Sequence, residues 1–214
     1  YTSDLRTELG LAPDDIMILQ PTRIVPRKGI EHAITLVKMI GNPKYKLIVS
    51  HQAGDEGLEY QHMISQYAGQ NGVDLRFCET RVSDMRHINN EGKKTYTLSD
   101  LYAQADFVTY PSLYEGFGNA LLEAIYFRVP VLVNRYAIFG LDIEPKGFCI
   151  PIMEGLLSSD VVEEVKHLIE SKPYRNKIVN HNYRVARRYY SYDVLHRSLK
   201  LLLSNIRGFL EEPK

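Results

Sequence analysis

Short apolar segments alternate with longer amphipathic ones along most of this chain, and this alternation restricts the folds it can adopt. The short segments are rich in β-branched and aromatic residues, which predicts β-strands, while the longer ones have apolar residues at helical spacing. The predicted strands cover 16–19, 45–49, 73–78, 106–110, 129–133 and 148–152, and the predicted helices between them cover 29–40, 57–69, 98–105 and 119–127. Because such strands pair in parallel beneath helices on both faces, we predict an α/β fold with an open, doubly wound, Rossmann-like parallel sheet.

The C-terminal part of the chain shows helical patterns only. We predict a helix over 158–171, a second that restarts at Pro173, and a third over 193–210. The third carries an apolar stripe suited to packing across a neighbouring domain, formed by Val194, Leu195, Leu199, Leu202 and Ile206. We therefore expect one domain over 1–214, with an α/β core at 1–157 and extra helices at 158–214.

Charge and composition exclude several classes of function. The 26 Lys and Arg residues balance the 26 Asp and Glu residues, so a general nucleic-acid partner is not expected. Tyrosines and arginines alternate over 183–197, and with balanced overall charge this pattern favours an ordinary amphipathic helix. No apolar run approaches the length of a membrane span. The seven histidines are scattered without metal-ligand spacing, so neither a metal nor a cofactor is expected.

Two further features concern the setting of the protein. Cys78 and Cys149 each stand alone in an apolar run, which excludes a disulfide framework and fits a reducing, cytoplasmic location. The sequence starts at Tyr1 without a Met or a secretory signal. We therefore expect this chain to be part of a longer protein.

Two cations follow the first predicted strand. Arg23 and Lys28 come just after its carboxyl end and just before a helix that begins near Gly29. Ligands bind at this edge of open α/β sheets, and a helix N-terminus favours anions. Arg clamps phosphate oxygens in a bidentate manner, while Lys supplies a point charge. A diphosphate site is one interpretation, and a solvated loop with ordinary surface cations is the other.

A glycine-rich turn follows the fourth predicted strand, over 115–118, and leads into a helix at Asn119. Its two glycines would let backbone N–H groups approach a ligand, and the helix N-terminus would add its dipole. Glu123, one turn into the helix, can accept from vicinal hydroxyls such as those of a ribose, and Glu115 can accept from other hydroxyls. The spacing is neither a dinucleotide fingerprint nor a Walker loop, and a helix-capping loop is the alternative interpretation.

Taken with Arg23 and Lys28, the segment PSLYEGFGNALLEA at 111–124 resembles the donor-binding half of GT-B glycosyltransferases. The resemblance is to the retaining family 4, also called glycosyl transferases group 1, whose motif has two glutamates eight positions apart. The resemblance covers about residues 4–133. It implies the C-terminal half of an enzyme that transfers a hexose, with retention, from a nucleoside-diphosphate sugar of the UDP-glucose or GDP-mannose type to an acceptor hydroxyl. It also implies a separate N-terminal acceptor domain, absent from this chain, without which the chain is inactive.

The resemblance also assigns roles to residues. Arg23 and Lys28 would hold the donor diphosphate and stabilise leaving-group charge, and Glu115 would bind hydroxyls of the donor sugar; these three are the catalytic candidates. Glu123 would bind the ribose. The remaining implied substrate-binding residues surround the phosphates and the nucleobase: Arg81, Val82, Gly116, Phe117, Gly118, Asn119, Ala120 and Leu121.

Two segments depart from the family pattern. The segment at 134–148 lacks the usual glycine pair. Its sequence resembles that of bacterial family members that transfer mannose or glucose to small acceptors, such as mannosylglucosylglycerate synthases. The polar segment 83–96 predicts an unusually long loop. A non-catalytic nucleotide- or phosphate-binding module, or an epimerase or phosphorylase on the same fold, remains an alternative to the transferase.

Overall fold

The computed structural model describes residues 1–52, 58–90 and 92–211, and within them a parallel sheet forms the centre of the molecule. The strands are β1 (Ile16–Gln20), β2 (Tyr45–Val49), β3 (Leu75–Phe77), β4 (His87–Ile88), β5 (Lys94–Thr95), β6 (Phe107–Tyr110), β7 (Val131–Asn134) and β8 (Ile152–Met153). The helices are α1 (Leu5–Glu8), α2 (Ile30–Ile40), α3 (Leu58–Gln70), α4 (Leu98–Gln104), α5 (Asn119–Tyr126), α6 (Ser159–Glu170), α7 (Lys172–Tyr190) and α8 (Tyr192–Glu211). Single turns of 3₁₀ helix cover Pro26–Lys28, Glu79–Arg81 and Glu144–Lys146, and a π-helical turn covers Phe139–Ile143.

The main sheet has the strand order β3-β2-β1-β6-β7-β8, and every pair in it is parallel. The chain builds outward from β1 to β3, then returns to the other side of β1 and builds outward again. This confirms the predicted open, doubly wound, Rossmann-like sheet. The order reverses between β1 and β6, and a crevice forms at such a switch point where the strands end.

Apolar side chains cover the sheet on both faces. One core cluster takes its helical residues from α2, α3 and α6, and the other takes them mainly from α1, α4 and α5. Helix α2 illustrates how a helix covers the sheet: it buries Ile30, Ile34 and Val37, which recur at helical spacing on one face. Burying each such side chain contributes roughly 1.5–3 kcal/mol, so the two clusters hold the helices against the sheet.

Several predicted boundaries are shifted. The sixth strand, predicted over 148–152, is β8 and starts at Ile152, while the backbone N–H and carbonyl oxygen of Cys149 bond the side chain of Asn182 on α7. Position 57, where a helix was predicted to begin, lies outside the described residues. The predicted long loop at 83–96 contains β4 and β5, which pair as an antiparallel hairpin. The hydroxyl of Tyr1 donates to the carbonyl oxygens of His87 (2.9 Å) and Thr95 (3.0 Å), so the start of the chain holds this hairpin.

The C-terminal helices do not all pack in the same way. Helix α6 lies against α2, and α7 lies against α5 and α6. By contrast, α8 leaves four residues of its apolar stripe between 47% and 55% exposed, namely Leu195, Leu199, Leu202 and Ile206. Packing of this stripe on a neighbouring domain therefore stays a prediction, as does the division at 157. None of the helices in the described part of the chain has the length and apolarity to cross a bilayer.

Asp100 forms a capping box at the start of α4. Its carboxylate accepts from the backbone N–H of Thr97 (2.9 Å), and its own N–H donates to the Thr97 hydroxyl (3.3 Å). Arg86, from the hairpin segment, also donates to this carboxylate, with Nε to Oδ2 at 3.0 Å. The hydrogen bond from Arg86 is the main reason that the pKa of Asp100 falls to about 2, with Thr97 adding to it against the effect of burial.

We expect Asp100→Asn to lower the free energy of unfolding by about 1 kcal/mol at pH 7, because the cap and the ion pair weaken together. The carboxylate of Asp100 stabilises the fold above its unfolded pKa of about 3.9, and this contribution disappears as the pH falls toward 2. The gap between wild type and variant in urea unfolding should therefore close over that interval. Asp160→Asn, at an exposed first-turn position of α6, is the matched control, and an equal loss there would contradict the prediction.

Candidate functional site

A cavity of about 380 Å³ lies at the switch point, beyond the carboxyl ends of β1 and β6. The four charged side chains proposed from the sequence, at positions 23, 28, 115 and 123, all line it. The complete lining is Pro21, Thr22, Arg23, Arg27, Lys28, His51, Leu98, Tyr110, Glu115, Gly116, Phe117, Gly118, Asn119, Ala120 and Glu123. The fold thus brings two cations after β1 and two acids after β6 into one crevice.

A second cavity of about 610 Å³ adjoins the first. Arg23, His51 and Leu98 line both, so the two cavities meet along these side chains. The second cavity extends over the ends of β2 and β3, and its other lining residues are Ser50, Gln52, Glu79, Val82, Ser83, Asp84, Thr97 and Ser99. Together the two cavities form an elongated depression along the sheet edge.

An ion pair between Lys28 and Glu115 lies in the smaller cavity. The side chains are only 11% and 10% exposed, and Nζ of Lys28 donates to Oε1 of Glu115. Arg27 approaches the other carboxylate oxygen at 3.4 Å. Burial lowers the pKa of Lys28 against the opposing effect of Glu115. Burial acts to raise the pKa of Glu115, but the hydrogen bond from Lys28 contributes to a net value below the ordinary one, so the carboxyl is ionised at neutral pH.

Glu123 is oriented by a buried tyrosine. The hydroxyl of Tyr102, on α4, lies 2.9 Å from Oε2 of Glu123 and 3.2 Å from the carbonyl oxygen of Ala120. Burial, followed by the charge of Glu123, raises the pKa of Tyr102 far above its ordinary value, so the phenol keeps its proton and donates it. One carboxylate oxygen of Glu123 is thus held, and the side chain still lines the cavity.

Two glycines let the site loops approach each other. Gly29 has φ +62°, and a Cβ there would come within 2.5 Å of the carbonyl oxygen of Pro111. The N–H of Leu113 donates to the carbonyl oxygen of Arg27 at 2.9 Å, which joins the same two loops. Gly118 has φ +94°, and a Cβ there would meet the hydroxyl of Tyr136 at 2.6 Å. Larger residues at either glycine would force the loops apart.

Aromatic side chains hold the glycine-rich turn from the other side. Tyr136 donates its hydroxyl to the carbonyl oxygen of Phe117 at 2.9 Å and contacts the ring of Tyr110 edge-on. The ring of Phe117 packs edge-on against Tyr190, at the end of α7, with centroids 5.2 Å apart. The first turn of α5 therefore has a fixed position at the cavity, with Asn119 in the lining.

The structure separates two predicted residues from the cavities. The side chain of Arg81 pairs with that of Glu8, and its backbone carbonyl accepts from Tyr96 at 2.8 Å. Leu121 is buried in the core beneath α5. Neither residue lines either of these two cavities, whereas Val82 lines the larger one. The roles of all these residues in binding stay predictions.

Several lining residues were absent from the sequence-based candidates, and His51 is the most notable. It comes two residues after the end of β2, so the rule that ligands bind at strand carboxyl ends, applied to β2 as well as β1, would have found it. No group of three or more His, Cys, Asp or Glu residues in the described ranges is arranged to hold a metal ion. This observation does not test the prediction that the protein acts without a metal ion.

We expect Gly118→Ala to lower the free energy of unfolding by at least about 2 kcal/mol, because Ala is strained at this φ and its Cβ collides with Tyr136. Gly116→Ala is the matched control, since no atom lies within 4 Å of the added Cβ, and its effect should stay within about 0.5 kcal/mol. Urea unfolding followed by circular dichroism measures both. Equal losses would show that Tyr136 does not confine the turn.

The chain is similar in sequence to two curated mannosylglucosylglycerate synthases. A mannosylglucosylglycerate synthase of Petrotoga mobilis is 36% identical over 166 residues, which cover 69% of this chain and 38% of that protein. One of Thermotoga maritima is 33% identical over 221 residues, covering 89% of this chain and 49% of that protein. The chain therefore spans about half the length, or less, of these curated relatives.

Solved structures share the fold. HepE of Anabaena, solved in complex with UDP and glucose, superposes with a TM-score of 0.73 at 18% identity, over 95% of this chain and 51% of that one. The C-terminal domain of LpcC, a glycosyl transferase group 1 family protein of Francisella tularensis, has a TM-score of 0.66 at 19% identity, over 90% and 94% of the two chains. The family model for glycosyl transferases group 1 matches residues 2–185, and this chain belongs to that family.

Proposed function

We propose that this chain is the C-terminal, donor-binding half of a retaining family 4 glycosyltransferase. The enzyme would transfer a hexose from a nucleoside-diphosphate sugar, of the UDP-glucose or GDP-mannose type, to an acceptor hydroxyl. The observation that carries this proposal is the convergence of Arg23, Lys28, Glu115 and Glu123 on one cavity at the switch point. Family membership and the mannosyl-transfer names of the two relatives support it.

The charges in the smaller cavity suit a diphosphate joined to a sugar. Arg23, Arg27 and Lys28 supply three cations, and the N-terminus of α5 adds a partial positive charge. As the glycosidic bond breaks, negative charge develops on the departing diphosphate and the sugar becomes oxocarbenium-like. Cations and N–H dipoles held in place before the reaction stabilise that charge without reorganisation.

The Lys28–Glu115 pair explains how a half-buried charged site remains stable before the donor arrives. Each group neutralises the other, which avoids the large cost of an unpaired buried charge. When a donor enters, Lys28 would exchange the carboxylate for a phosphate oxygen, and Glu115 would turn to sugar hydroxyls. Both charges thereby keep a partner throughout.

The remaining parts of the donor have places in the same depression. Glu123, held by Tyr102, would accept from the ribose hydroxyls, and the larger cavity beside Val82 would receive the nucleobase. Glu115 is not assigned as a covalent nucleophile, because glycosidase-like chemistry would need a second carboxyl about 5 Å away in a matching position. Retention is proposed from the family resemblance.

The acceptor side of the reaction is proposed to lie in a separate N-terminal domain. Two observations support this. The matched part covers 38% of the Petrotoga mobilis relative and 49% of the Thermotoga maritima relative. In fold, the chain also matches the isolated C-terminal domain of LpcC almost end to end. The 214-residue chain alone would then bind the donor without transferring its sugar. Metal independence and a cytoplasmic location belong to the same proposal.

We expect Lys28→Ala to weaken binding of nucleoside diphosphates by about 10- to 100-fold, because the site loses a buried cation at the phosphates. Isothermal titration calorimetry with UDP, GDP and ADP measures this. Lys38→Ala, at an exposed position of α2 far from the cavity, is the matched control and should bind as wild type does. Absence of binding by wild type to all three nucleotides would contradict the proposed function, as would unchanged binding by a folded Lys28→Ala variant.

A further inference from the structure

His51 stands where the two cavities meet. It follows the carboxyl end of β2, its imidazole is partly buried, and it lines both the smaller and the larger cavity. If the diphosphate lies in one cavity and the nucleoside in the other, this ring faces the junction between them. Sequence reasoning assigned it no role, since it is a single histidine without metal-ligand spacing.

The orientation of the ring is set by its neighbour. Oγ of Ser50 lies 2.7 Å from Nδ1 of His51, and the Ser50 side chain is almost completely buried. In the neutral tautomer that carries its hydrogen on Nε2, the Ser50 hydroxyl donates to Nδ1. In the protonated ring, both nitrogens donate and the Ser50 oxygen accepts. Nε2–H is therefore a donor in this tautomer and in the protonated ring, on the side of the ring away from Ser50.

Charged groups on several elements surround the ring. Lys28 and Arg23 face it from the loop after β1, Glu123 faces it from α5, and Glu79 and Asp84 line the larger cavity. Burial lowers the pKa of His51; Glu123 acts to raise it, and the two cations act to lower it. The ring is thus neutral at pH 7 in the ligand-free chain. An anionic diphosphate would offset those cations and favour the protonated ring.

We propose that His51 is a contact residue for the nucleotide, donating from Nε2 to the bound ligand at the junction of diphosphate and nucleoside, and that its ring takes up a proton when the nucleotide binds. This inference rests on the proposed function and adds a recognition residue to it. Proton uptake by His51 would make nucleotide affinity increase as the pH falls, and the increase would require the His51 side chain. Protonation involves no covalent step beyond the N–H bond that forms at Nδ1.

The test is calorimetry of UDP and GDP binding near pH 7 in two buffers that differ in ionisation enthalpy, which counts the protons taken up. The ligand's own phosphate also exchanges protons, so wild type is compared with His51→Gln, which keeps a hydrogen-bond donor but cannot titrate. We expect wild type to take up roughly 0.3–1 more proton per nucleotide than the variant. His62→Gln, on the exposed face of α3, is the matched control and should equal wild type.

A pH series gives a second measurement. The ratio of wild-type to His51→Gln affinity should rise about 3- to 10-fold between pH 8 and pH 6, since a shift of one pKa unit corresponds to a tenfold change in affinity. NMR of the wild-type histidine rings should show the pKa of His51 rising by roughly one unit with saturating nucleotide. In this NMR measurement, the His51→Gln variant serves only to assign the signal of His51.

The outcomes separate the two proposals. Equal proton counts for wild type and His51→Gln, or an unshifted His51 signal in a chain that binds UDP or GDP, would overturn the role of His51 and leave the proposed function standing. Wild type that binds neither UDP, GDP nor ADP would overturn both. A proton uptake lost in His62→Gln as well would also contradict the assignment to His51.

Discussion

The contact between Lys28 and Glu115 is the constraint on which the rest of the site depends. It joins the loop after β1 to the loop after β6, and so connects the two halves of the sheet across the switch point. Removing one member of a buried ion pair is costly, because the other charge loses its main partner; for Glu115, Arg27 at 3.4 Å would remain. A ligand that offers both a negative group and hydroxyls can supply a new partner to each member of the pair. This favours the proposed phosphate-linked sugar over a simple anion.

The backbone makes that contact possible. Gly29 allows the two loops to approach until the N–H of Leu113 reaches the carbonyl oxygen of Arg27. Gly118 allows the turn before α5 to fit beneath Tyr136. The site is therefore assembled by close main-chain approach, and the side chains only complete it. A chain could retain all four charged residues and still lack the cavity if either glycine were replaced.

Much of the fold and part of the site could be predicted because they depend on local pattern. The strands and helices of the main sheet follow from apolar spacing, and parallel pairing then places Arg23 and Lys28 at the same edge as Glu115 and Glu123. The hairpin at 87–95 could not be predicted, because its strands are too short to show a period. What holds them is distant in sequence: Tyr1 donates to Thr95, 94 residues away.

The same distinction explains why local pattern showed neither the ion pair of Arg81 nor the place of His51 in the cavities. The family resemblance placed Arg81 near the nucleobase, and its side chain pairs with Glu8 of α1, a contact that no local pattern encodes. His51 carried no motif, yet it comes two residues after the end of β2, much as Arg23 comes three residues after the end of the neighbouring strand β1. Residues that follow β1, β2, β3 and β6 all line the same depression. The edge as a whole, and not any single motif, is therefore the unit from which a binding site on such a sheet should be inferred.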